Sequence, residues 1–207
     1  MSTTSHRLVA EPITTDRLTL EPLRVAHADE MAAVLGDPAL HTFIGGAPDD
    51  VTALRARYTR MVVGSPDPRV SWCNWVLRVS ADGCLAGTVQ ATVRPGGPGR
   101  SKDGCEDGSD GHGAEIAWMV GTPWQGRGLA TEAARALVTW LLGRPEVTHL
   151  LAHIRPDHGA SAAVARAAGL APTDERHDGE IRWRLTLNGG QASGGQANGA
   201  NGGQRDG

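Results

Sequence analysis

Lysine is nearly missing from this chain: Lys102 is the only one among 20 basic side chains, and the rest are arginine. The skew is expected to reflect coding bias rather than a binding surface. The formal net charge is −3 and the arginines form no stripe, so nucleic-acid binding has no electrostatic footprint here. No apolar run approaches the length needed to span a bilayer, and "MSTTSHRLVAEPITTDRL" lacks the continuous apolar stretch of a signal peptide. Cysteine is scarce too. Cys73, Cys84 and Cys105 are odd in number with neither CxxC nor paired spacing, which speaks against a disulfide framework or a zinc site. A reduced, cytoplasmic compartment is the simplest expectation, with no membrane and no nucleic acid as partner.

Two stretches are expected to lack order. Residues 94–113, "RPGGPGRSKDGCEDGSDGHG", hold almost nothing a core could use, and the tail 188–207 mixes Gly, Gln, Asn and Ala without apolar period. With residues 1–13 as a flexible lead, one domain is expected over 14–187, the 94–113 segment forming a long hairpin loop. That loop gathers acids with Cys105 and His112. Against a calcium-loop template Asp103, Asp107 and Gly108 fall in register, but Cys105 replaces an oxygen ligand and Ala114 the final Glu. No metal site is expected.

What remains shows readable periods. "DRLTLEPL" alternates as a strand, while "HADEMAAVLGD" and "DDVTALRARYTRMV" have helical spacing. "WCNWVLRVS" and "LAGTVQATV" flank "ADG" as a hairpin, and "AEIAWMV" follows as a third strand. After "PWQGRG" comes a helix whose stripe is Leu129, Ala133, Ala136, Leu137, Trp140 and Leu141. "THLLAHI" is a strand, "DHGASAAVARAAGL" a helix ended by Gly169, and a closing hairpin turns at Asp178-Gly179. The fold class is α/β of the α+β kind: a mixed, largely antiparallel sheet with helices on both faces and one strand-helix-strand crossover. Of six Trp against one Phe and one Tyr, Trp72, Trp75, Trp118, Trp140 and Trp183 are expected in core or cleft wall, with Trp124 bracing the glycine turn.

"PWQGRGLATEA" places Gly126 and Gly128 between a strand and a helix. There, unpaired backbone N–H groups and the helix dipole suit an anion, and a residue without Cβ lets it come close. No Lys-Ser/Thr follows, which excludes a Walker loop. A Rossmann turn needs a third glycine and opens the first strand of a parallel sheet. Gln125-x-x-Gly128-x-Ala130 resembles instead the acyl-CoA pyrophosphate loop of the GNAT superfamily of N-acetyltransferases. "ITTDRLTLEPL", "AEIAWMVGTPWQGRGLATEAARALVTWL" and "IRPDHGASAAVARAAGL" resemble, in order, segments of its branch containing ribosomal-protein N-terminal acetyltransferases.

The resemblance implies that the backbone of Gln125, Gly126, Arg127, Gly128, Leu129 and Ala130, helped by Thr131, holds the pyrophosphate of acetyl-CoA. It implies that the strand ending in Trp118, Met119 and Val120 splays from the next, pairs with the pantetheine arm, and offers an N–H to the thioester oxygen. Transfer is then direct, with no acyl-enzyme and no metal. Ser161 matches a serine near the CoA sulfur and is expected to hydrogen-bond the departing thiolate, the flanking match favouring this over an ordinary helix serine bonded back to the preceding turn. His158 stands where Asn commonly touches pantetheine, and Ala165 where many relatives carry an acidic Tyr. Glu115, on one pleat face with Ala117 and Met119, is either a base working through water or an exposed strand residue. Asn74 and Gln90 are candidates to line the acceptor side. The acceptor is expected to be a small-molecule amine or a peptide N-terminus, and a homodimer stays open. A non-catalytic acyl-CoA-binding module is the alternative, motivated by the missing Tyr and altered Asn.

Overall fold

The computed structural model describes residues 7–96 and 111–186. Cys105, Leu187, the greater part of the acidic loop and the C-terminal tail lie outside these residues. Eight strands form one sheet: β1 (Ile13–Thr14), β2 (Leu18–Pro22), β3 (Ser71–Val79), β4 (Leu85–Arg94), β5 (His112–Val120), β6 (Val147–Ile154), β7 (Ala171–His177) and β8 (Glu180–Thr186). Their spatial order is β1-β2-β3-β4-β5-β6-β8-β7. Every pairing is antiparallel except β5 with β6, the pair joined by the helical crossover.

The helices are α1 (Ala28–Val34), α2 (His41–Ile44), α3 (Val51–Val63), α4 (Leu129–Leu142) and α5 (Gly159–Ala167). None is long and apolar enough to cross a membrane, among the described residues. Strand alternation separates two cores. Cys73, Trp75 and Leu77 face back, where Leu129, Ala133, Leu137 and Leu141 of α4 and Ala165 of α5 pack on them. Val76 points to the front and meets Ala28, Met31 and Val34 of α1 and Leu54 and Tyr58 of α3. The helices therefore lie on both faces. On α4 the buried stripe also takes in Ala134 and Val138, while Ala136 and Trp140 sit at its rim.

Two boundaries differ from the sequence reading. Residues 7–13 are not a flexible lead: Leu8, Ala10 and Ile13 pack on the back core, and Trp75 Nε1 donates to the Glu11 carbonyl at 2.7 Å. A buried indole needs an acceptor, and Glu11 supplies it. The loop is shorter than 94–113, because Arg94 closes β4 and His112 and Gly113 open β5, where they pair as Arg94↔Gly113 and His112↔Val147.

Candidate functional site

The parallel pairing of β5 with β6 is brief. It runs from His112↔Val147 to Glu115↔Leu151 and stops, although β5 continues to Val120 and β6 to Ile154. On its other side β5 stays paired to β4 through Gly87↔Val120, and β6 to β8 through Ile154↔Ile181. The strands thus splay into a V, and the inner edge of Ile116–Val120, including Trp118 and Met119, has no strand partner among the described residues. Gly87 explains the direction of the splay. A Cβ there would sit 2.1 Å from the Met119 carbonyl oxygen and 2.9 Å from Val120 Cα. Only glycine lets the end of β5 lean onto β4 and away from β6.

At the open end of the V the chain turns through the 3-10 segment Thr122–Trp124 into α4. Asp37 accepts from the Thr122 hydroxyl at 2.5 Å, and Trp124 packs between both cores. Gln125 Nε2 donates to the Val120 carbonyl at 3.0 Å, tying the turn to the strand end. Gly126 and Gly128 have φ of 71° and 77°, in the left-handed region, and a Cβ on Gly126 would meet nothing within 4 Å. Gly128 is the N-cap of α4 and has no side chain to bond the first-turn amides of Leu129, Ala130 and Thr131. Those N–H groups have no partner within the helix either, so the turn presents a row of donors at the positive end of the α4 dipole. This fits an anion, and Arg127 adds an exposed guanidinium.

On the other arm of the V, α5 starts just after the free end of β6. His158 is its N-cap, its Nδ1 accepting from Ser161 N–H at 3.4 Å, so the imidazole serves first as a helix cap. Burial pushes its pKa down, and Arg155 adds to this against the pull of Asp157. Ser161 is half-buried in the first turn of that helix. Ala165 is fully buried and carries no hydroxyl. The only tyrosine, Tyr58, is 2% exposed in the front core, its hydroxyl without a partner and its pKa pushed up to about 12 by burial. No tyrosine is available as an acid.

The front face of the central strands, beyond α1 and α3, is open. Asn74, Gln90 and Ala117 are cross-strand neighbours in one row, and Trp72, Thr92 and Glu115 form the next. Gln90 and Ala117 are exposed, and Trp72 is 37% exposed. Asn74 and Gln90 therefore stand together beside the upper arm of β5. Glu115 sits at the apex, where the β5–β6 pairing ends, with its side chain 42% exposed. Its Oε1 meets His153 Nδ1 at 3.3 Å and its Oε2 accepts from Arg94 Nη1 at 3.1 Å. The His153 hydrogen bond, against the cost of burial and with help from Arg94, holds its carboxyl below the ordinary carboxylate range.

His153 and Arg94 are absent from the sequence reading. Alternation in "THLLAHI" puts His153 on a face with His149, but its pairing with Glu115 needs the parallel register, which the sequence does not display. His112, from the candidate metal cluster, lies on β5, and no group of three or more His, Cys, Asp or Glu among the described residues could hold a metal. One open depression, of about 900 Å³, lies outside the V. It flanks α4 on the opposite side, between residues 12–17 and Thr131, Glu132, Arg135, Ala136, Thr139 and Trp140. It reaches the turn only at Gly128 and includes neither Glu115 nor any residue of β5 or β6.

Several solved structures share this architecture. An acetyltransferase of the GNAT family from Bacillus anthracis is 13% identical, with 86% of this chain and 99% of that chain covered at a TM-score of 0.64. The RimL ribosomal L7/L12 alpha-N-protein acetyltransferase in complex with coenzyme A is 17% identical, with coverage of 86% and 98% and a TM-score of 0.67. AAC(6')-Ib in complex with paromomycin and acetyl-CoA is 22% identical, with coverage of 83% and 94% and a TM-score of 0.64. No curated protein matches the sequence. The acetyltransferase (GNAT) domain profile matches residues 17–171, from the start of β2 to the start of β7, and the chain belongs to the GNAT acetyltransferase family.

Proposed function

We propose that this protein transfers the acetyl group of acetyl-CoA directly to a primary amine, on a small molecule or a peptide N-terminus. The observation that carries this is the V between β5 and β6, which leads from an unpaired strand edge to an uncapped glycine turn. The residues from Gln125 to Thr131 would hold the pyrophosphate, and the edge of Trp118, Met119 and Val120 would pair with the pantetheine arm. An N–H of that edge then meets the oxygen that becomes anionic as the amine attacks the thioester carbon. The carbon–sulfur bond breaks, the thiolate leaves, and Ser161 is the hydroxyl on the β6 side able to give it a hydrogen bond. Glu115 faces the acceptor side as a carboxylate and draws the ammonium form of the amine or takes its proton through water. Asn74 and Gln90 would orient the rest of the acceptor.

The bound complexes of the structural relatives named above, one with an aminoglycoside and acetyl-CoA, the other with coenzyme A, support the donor and the amine class. Incubation with acetyl-CoA, pooled amines and N-terminal peptides, read by mass spectrometry and by thiol release, tests the proposal. Acetylated product with stoichiometric thiol is expected. The buried Tyr58 and Ala165 favour a second reading, a non-catalytic acyl-CoA-binding module. It predicts calorimetric binding of acetyl-CoA without thiol release on any acceptor.

A further inference from the structure

Behind the glycine turn lies a network that joins three segments far apart in sequence. Glu132, in the first turn of α4, accepts through Oε1 from the Thr15 hydroxyl at 2.6 Å and from Arg17 N–H at 2.9 Å. Its Oε2 accepts from Arg17 Nε at 2.7 Å and Nη2 at 2.6 Å. Burial works to raise the Glu132 pKa, but the Thr15 and Arg17 hydrogen bonds outweigh it and hold the carboxyl below its ordinary value. The remaining guanidinium nitrogen, Arg17 Nη1, donates to the carbonyl of Arg127 at 2.9 Å. Meanwhile the Glu132 N–H closes the first helical bond of α4, onto the Gly128 carbonyl at 3.1 Å.

We propose that Arg17, held by Glu132, is a positioning residue that sets the direction of the Gly128 amide in the pyrophosphate turn. The inference rests on the reading of that turn as the CoA cradle. The Arg127 carbonyl and the Gly128 N–H belong to one planar trans peptide, so they point in opposite directions. Gripping the carbonyl from the β2 side therefore aims the N–H away from Arg17. Without that grip, a turn with glycine on both sides of Arg127 is free to flip the peptide and face an anion with an oxygen. The role assigned to Arg17 is indirect: each of its three nitrogens already meets a protein acceptor, and Glu132 offsets its charge. A planar fork is needed because one side chain must reach a carboxylate and a carbonyl together, which a lysine ammonium does not do.

The test compares kcat/KM for acetyl-CoA with that for acetyl-pantetheine, which keeps the thioester arm and lacks the pyrophosphate. In Arg17→Ala and Glu132→Gln the preference for acetyl-CoA is expected to fall about tenfold, the effect of misaligning one charge-assisted hydrogen bond. Arg17→Lys, which keeps the charge and spares the fold, recovers little of it. The loss appears in KM for acetyl-CoA and persists at high ionic strength, where a direct ion pair to phosphate is screened. Equal losses on both donors, or full rescue by Arg17→Lys, overturn the proposal. A wild-type protein with no preference for acetyl-CoA over acetyl-pantetheine overturns the underlying reading of the turn, and the proposal with it.

Discussion

Replacing Glu115 by Gln removes one charge and almost no volume, so it separates stability from chemistry. The carboxylate is 42% exposed and its Arg94 partner 51% exposed, so the ion pair is screened and contributes about 0–1 kcal/mol. For a domain of this size that is a melting shift of at most about 4 °C. The catalytic effect is larger. A positioned base contributes about 10²–10⁴-fold, so kcat/KM at pH 7 is expected to fall by about 100-fold or more.

The pH dependence is more discriminating. An ordinary Glu titrates near ~4.3, an α-amine near ~8 and a lysine-like amine near ~10.4, so parking a proton on the carboxylate is uphill by about 5 kcal/mol or more. Contacts with His153 and Arg94 push Glu115 further down and widen the gap. The carboxylate therefore acts on the ammonium in passing, through water or by holding it at the thioester. Its advantage belongs to the pH range in which the amine is protonated. With an α-amine acceptor, whose pKa of about 8 lies inside the window, steady-state rates of wild type and Glu115→Gln from pH 6 to 10 should converge above that pKa. A ratio that stays flat across that range, or a variant within about threefold of wild type at pH 7, refutes the assignment.

Further outcomes follow from the same geometry. Gly128→Ala puts a Cβ at φ 77°, an ordinary 3.5 Å from Arg17 Nη2, so the cost is backbone strain of about 1–2 kcal/mol; calorimetry should show weakened CoA binding beyond the small drop in melting temperature. Gly87→Val forces the end of β5 off β4, and is expected to lower thermal stability by about 3 kcal/mol and abolish CoA binding. Tyr58→Phe removes a buried hydroxyl that has no partner, so stability by urea titration should hold or rise and kcat should not change. The folded pKa of Glu132 is depressed, so its contribution to stability is present above the ordinary carboxylate pKa and lost as pH falls through the folded value; Glu132→Gln should flatten that acid loss in melting curves from pH 7 to 3.

The proposed donor half of the site was legible because backbone makes it. Glycines at 126 and 128, a strand before them and an amphipathic helix after them, state the shape of the turn within a dozen residues. The antiparallel hairpin of β3 and β4 and the α4 stripe were legible for the same local reason. The splay was not, in cause: Gly87 lies 32 residues before Met119 in sequence, and its role exists only in the pairing of β4 with β5. The order of the last strands was equally hidden, since β8 rather than β7 lies beside β6.

The proposed acceptor half is made of side chains meeting across strands, and here sequence separation decides what can be read. Glu115 and His153 are 38 residues apart and come together only where a parallel pairing ends. Behind the donor turn the same holds for Arg17 and Glu132, which are 115 apart and meet because α4 crosses back over the first strands. Neither pair has a period or a spacing that marks it, since each member alone is an ordinary polar residue on its element. The two halves also differ in what they can tolerate. A backbone cradle admits any side chain that leaves φ and the amide direction intact, so its signature is a few glycines and the groups that hold them. A front face built from Trp72, Asn74, Gln90, Glu115 and His153 can change acceptor by single substitutions without disturbing the sheet, because none of these side chains belongs to either core. Donor and acceptor specificity are therefore separable in this fold: exchanging Asn74 or Gln90 for Ala should change which amine is acetylated while KM for acetyl-CoA, measured with a saturating acceptor, stays within about twofold.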